Sequence, residues 1–75
     1  MVTSGEIRTF KSATSAELEQ AQSLIFRGKG FAARGDYRLQ RIIAVLGTLN
    51  QVARDRAIRE AISREEEVRQ QTLGV

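Results

Sequence analysis

The residues best suited to chemistry in this chain are basic, and they crowd into one stretch, FRGKGFAARGDYRLQR, from Phe26 to Arg41. Arg27, Lys29, Arg34, Arg38 and Arg41 fall there with Asp36 as the only acid, among Gly28, Gly30, Gly35 and the rings of Phe26, Phe31 and Tyr37. Arginine and lysine supply charge to an anion, glycines let backbone amides approach it, and rings stack on bases or guanidinium groups. The five basic side chains are therefore the candidate partner- or anion-binding set. Their excess of charge is small for a nucleic-acid-binding domain. They also span a bend between two helical segments, which suits an irregular acidic protein surface better than a regular track of phosphates.

Catalytic constellations are missing. The 75 residues include no histidine and no cysteine, which removes the usual general base near neutral pH, the usual zinc ligands and any thiolate or disulfide. Glu65, Glu66 and Glu67 are consecutive, and on a helix they point about 100° apart, so they do not converge on a cation or a substrate. The GKG at Gly28–Gly30 lacks the spacing of a phosphate-binding loop. The RGD at Arg34–Asp36 is better explained by Asp36 starting a helix than by adhesion. The expectation is a non-enzyme with no catalytic residues, no cofactor and no metal.

The net charge is +3, and residues 1–53 hold seven basic and four acidic side chains against five of each in residues 54–75. The positive excess thus lies ahead of Arg54. The longest apolar run, Ile42–Leu46, is far below the ~20 residues that span a bilayer, and the polar start MVTSGEIRTFKSATS shows no secretory h-region. A cytoplasmic protein with no membrane partner is expected.

The elements that must carry these residues are helical. Proline is absent, which favours uninterrupted helix. Residues 1–13 lack helical periodicity and read as an extended arm anchored by Ile7 and Phe10. Thr14-Ser15-Ala16-Glu17 forms a capping box, and Leu18, Ala21, Leu24 and Ile25 follow at helical spacing, predicting a short helix over 15–27 that ends at Gly28 or Gly30. Asp36 reads as the N-cap of a second, long helix over 37–71. Its stripe runs through Leu39, Ile42, Ile43, Leu46, Leu49, Ala53, Ala57, Ala61 and Val68 in phase. Gly47, followed by a second capping-box match at Thr48–Gln51, is the one place where that helix would break. Asp55/Arg59, Glu60/Arg64 and Glu65/Arg69 each place acid before base at i,i+4.

A Gly47 turn followed by residues 48–62 also matches a helix-turn-helix in outline, but Arg56 falls where a buried residue is wanted. The pairing of SAELEQ with GDYRLQRIIAVLGTLNQVARDRA resembles the N-terminal helices of phycobiliproteins, with an insertion around Phe26–Ala33. The chain is shorter than that globin-like fold and has no cysteine to hold a bilin, so the resemblance implies a helix pair and no chromophore.

The resulting expectation is an all-α single domain over 1–75: arm 1–13, then a helical hairpin over 14–75. One short helix covers only one side of the apolar segment 39–53. The exposed remainder, Leu39, Ile42, Val45, Leu46, Leu49 and Val52, is the expected interface, either with a second copy as a homodimer or with a larger complex. The function so predicted is a protein-protein interaction module, an adaptor, regulator or assembly factor, with the basic turn as a secondary contact. The alternative is a small nucleic-acid-binding regulator with that turn on phosphates.

Overall fold

A computed structural model describes residues 2–29 and 35–73. They are all-helical, as expected, but the architecture is not a two-helix hairpin. Four helices follow one another: α1 (Ser4–Lys11), α2 (Ser15–Phe26), α3 (Tyr37–Leu46) and α4 (Gln51–Leu73).

The expected arm is α1. Its start is a capping box: the Thr3 hydroxyl accepts from the Glu6 amide at 3.2 Å, and the Glu6 carboxylate accepts from the Thr3 amide at 2.8 Å. An eight-residue helix is too short to be stable alone. Its stability comes from packing. Thr9 is buried with its hydroxyl donated to the Gly5 carbonyl, and Phe10 leans on the core. Ile7, the other expected anchor, remains 42% exposed.

α2 begins at Thr14 through the capping box read from sequence. It ends in a Schellman motif, with the Lys29 amide donating to the Leu24 carbonyl and the Gly28 amide to the Ile25 carbonyl. Gly28 sits at φ +66°, where a side chain would be strained. Phe31 and Arg34 lie outside the described residues.

The long helix expected over 37–71 is interrupted after Leu46. Gly47 itself keeps right-handed geometry, with φ −65°, so no left-handed residue causes the break. Polar side chains compete for the backbone instead. The Thr48 hydroxyl donates back to the Val45 carbonyl, the Asn50 carboxamide oxygen accepts from the Ala53 amide, and the Arg54 guanidinium donates to the Leu46 carbonyl. These bonds satisfy the end of α3 and the start of α4 separately.

α1 packs on α3, α3 on α2, and α2 on α4. Leu18, Ile42 and Leu46 are fully buried, and Ala13, Ala21, Leu39, Ile58 and Ala61 complete the core. α4 runs antiparallel to α2. Gln51 near its start donates to Gln22, whereas Glu65 lies at the first turn of α2, accepting from the Ser15 amide at 3.1 Å.

Candidate interaction surface

The basic residues do not form one site. Arg38, at the start of α3, is held by the first turn of α2. Its Nε pairs with the Glu17 carboxylate, and its Nη2 donates to Glu17 Oε1 at 3.2 Å and to the Ser12 carbonyl at 3.1 Å. One guanidinium thus joins the end of α1, the start of α2 and α3, using its planar donors on three acceptors. The Arg38 contact and the Thr14 amide hold the Glu17 carboxyl below the usual carboxylate range, and Glu17 in turn raises the affinity of Arg38 for its proton.

Arg27 and Lys29 are exposed beyond the other end of α2. The ten residues from Glu17 to Arg27 separate those groups from the Arg38 clasp by about 15 Å. Arg41 is exposed on α3, close enough to Glu6 of α1 to contribute to that carboxyl's lowered pKa, whose main cause is hydrogen bonding by Thr3. Of the described members of the set, Arg38 acts as an intramolecular clasp while Arg27, Lys29 and Arg41 remain surface charges.

The expected interface residues are also divided. Leu39, Ile42, Val45 and Leu46 are buried within the chain, and Leu49 is half-buried against the core. The second cover that α3 requires is supplied by α1, the segment read as an arm. Val52 alone of the six is largely exposed, at 67%.

Among the described residues Ile7, Phe26 and Tyr37 are exposed singly, and α4 leaves a longer outer face uncovered. Its inner face buries Ile58 and Ala61 and ties to the turn between α1 and α2 through Glu65 to Ser15 and Arg64 to the Ala13 carbonyl. The Glu65 carboxyl is held below its usual range chiefly by Ser15. The flank that adjoins this inner face, and that meets Ser15 of α2 beside Ile62 and Arg69, presents Val52, Asp55, Arg59, Ile62, Glu66 and Arg69, alternating at three- and four-residue spacing. All are exposed except Asp55, which is intermediate and accepts from Gln51 of the same helix at 2.9 Å. Among the described residues the ion pair is Arg38–Glu17, so the three i,i+4 pairs expected along α4 are not closed. Arg59 and Glu66 take no hydrogen bond or ion pair there. The three-four spacing of this row is visible in the sequence, beside the stronger apolar stripe of the inner face.

Among the described residues no group of carboxylates is arranged to hold a metal ion, and no helix is long and apolar enough to cross a membrane. No family model matches the chain, nor does any curated protein or solved structure.

Proposed function

We propose that this chain is a non-enzymatic interaction module, an adaptor, regulator or assembly factor, that docks on protein through the outer face of α4. The observation that carries this reading is the row Val52, Asp55, Arg59, Ile62, Glu66 and Arg69. It combines exposed aliphatic side chains with charges of which Arg59 and Glu66 take no side-chain hydrogen bond or ion pair among the described residues. Apolar anchors ringed by orientable charge are the usual make-up of a protein-docking patch. The basic residues Arg27, Lys29 and Arg41 serve as a secondary contact for an acidic surface, speeding encounter more than adding affinity.

The nucleic-acid alternative is less well supported, because Arg38 is occupied by Glu17 and Ser12 and the remaining described bases are dispersed. Site-specific photocrosslinking in native cells tests the reading. A photoreactive residue at position 62 should yield protein adducts, to another copy or to a different protein, whereas one at Glu19 on α2 should not. Absence of adducts at 62, together with nucleic-acid crosslinks from the basic segment that vanish in Arg27→Gln/Lys29→Gln, would overturn it.

A further inference from the structure

We infer that the protein seated on the outer face of α4 is a second copy of this chain, with the two α4 helices antiparallel about a two-fold axis at Ile62. This rests on the docking role proposed above for the same face and adds the identity and orientation of the partner.

Charge along the helix selects this arrangement. Residues 51–59 carry Arg54, Arg56 and Arg59 against Asp55, while residues 60–69 carry Glu60, Glu65, Glu66 and Glu67 against Arg64 and Arg69. The first half is therefore positive and the second negative. Parallel pairing lays like on like. Antiparallel pairing lays each positive half on the other copy's negative half, and it also opposes the two helix dipoles.

The exposed row matches residue by residue. Helices that meet along a three-four stripe form successive layers across the seam. With Ile62 on the axis, Ile62 faces Ile62 of the second copy, Arg59 faces its Glu66, and Asp55 faces its Arg69. Every layer from 55 to 69 is then either apolar on apolar or acid against base. Among the described residues Arg59 and Glu66 take no side-chain hydrogen bond or ion pair that would compete with these, and the acceptor capacity of Asp55 exceeds the single bond it receives from Gln51. The face is one helix wide with one central isoleucine, below the size of a standard permanent interface. The dimer is accordingly reversible, and charge fixes its geometry more than apolar area does.

Charge exchange tests it on the full chain by sedimentation equilibrium from about 10 µM to about 1 mM. Wild type should pass from monomer to dimer across this range. Arg59→Glu alone and Glu66→Arg alone each create two like-charge layers, and each should raise the dissociation constant about tenfold or more. An equimolar mixture of the two variants should restore a heterodimer, since both layers are again acid against base. The double variant Arg59→Glu/Glu66→Arg should restore the homodimer. Unchanged far-ultraviolet circular dichroism checks that all variants are folded. A wild type monomeric throughout, a dimer indifferent to either swap, or a mixture that stays monomeric overturns the proposal. Should self-association fail while position 62 still crosslinks to a different protein, the second copy is excluded and the docking face stands. Failure of both removes the docking role as well.

Discussion

Ile42 and Ile62 are the same residue type on two helices of one small chain, and their surroundings are opposite. Ile42 is 0% exposed, enclosed where α3 meets α1 and α2, and Ile62 is 37% exposed on a flank of α4 whose neighbour is Ser15 at the start of α2. Up to the end of α3 the chain covers most of its apolar side chains itself, with Ile7, Phe26 and Tyr37 left exposed. The short α1 closes the side of α3 that α2 cannot reach, and Arg38 clasps the three helices together. In α4 only the inner flank is used this way. The contrast shows where apolar burial is spent on holding the fold and where side chains remain available to a partner.

The largest effect should come from exchanging these two isoleucines for alanine. Ile42→Ala removes packed volume from the interior and should cost about 2–5 kcal/mol. Ile62→Ala should stay within about 0.5 kcal/mol of wild type when measured on dilute, monomeric protein. Urea unfolding of both variants reads the difference. Comparable losses would mean that the outer flank of α4 is part of the core.

Next is the cover itself. Thr3→Ala removes the N-cap of α1 and should destabilise the protein by about 1 kcal/mol, the same order as Thr14→Ala at the start of α2. An N-terminal segment behaving as an arm would leave stability unchanged in the first variant and reduced only in the second, which thermal denaturation distinguishes.

These two caps also show what was legible. Thr14-Ser15-Ala16-Glu17 and Thr3-Ser4-Gly5-Glu6 carry the same signal, yet only the first is followed by a long apolar period. The helix after Thr3 depends on Thr9 and Phe10 packing against other elements, a tertiary effect that local pattern does not encode. Helical character, the Asp36 N-cap and a glycine terminus at Gly28 or Gly30, which the structure places at Gly28, are readable because each is set by neighbouring residues. The break after Leu46 was harder. The apolar stripe resumes in phase beyond it, and of the two candidate caps the side chain of Asn50, not Thr48, starts α4. The Arg38 clasp was not readable, because its partner Glu17 lies 21 residues away and no spacing rule links them. The apolar face of 39–53 does need a second cover, and α1 packs there beside α2. The pattern does not reveal that α1 supplies a cover, because residues 1–13 carry no helical period of their own.

A smaller effect separates the arginines. Arg38→Gln should cost up to about 1 kcal/mol, since its side chain remains half-exposed and surface pairs are weak. Arg41→Gln should be within about 0.5 kcal/mol of wild type. Equal melting temperatures for the two variants would reduce the clasp to an incidental contact.

Acid should reveal the same ties gradually. Glu6, Glu17 and Glu65 all have carboxyls held below their ordinary range by cap, arginine or amide partners. Groups lowered on folding contribute stability that is fully present above the unfolded carboxylate pKa, about 4.3, and is lost as pH falls through the lowered native values. Melting temperature should therefore be level near neutrality and fall below about pH 4, with a shallower fall in Glu65→Gln. A fall centred near neutral pH, or one unaltered in that variant, would contradict these assignments.

The most direct test of the pairing across α4 is a spin-label distance measurement between copies. The chain has no cysteine, so Ser63→Cys and Gln70→Cys each give one label at the edge of the seam. Antiparallel helices centred on Ile62 place the two labels at 63 about 3 Å apart along the axis and those at 70 about 24 Å apart. The account predicts a markedly shorter interchain distance at 63 than at 70, and loss of both distances in Arg59→Glu. Equal distances at the two positions, the mark of a parallel pair, or no interchain coupling at about 1 mM, would contradict it.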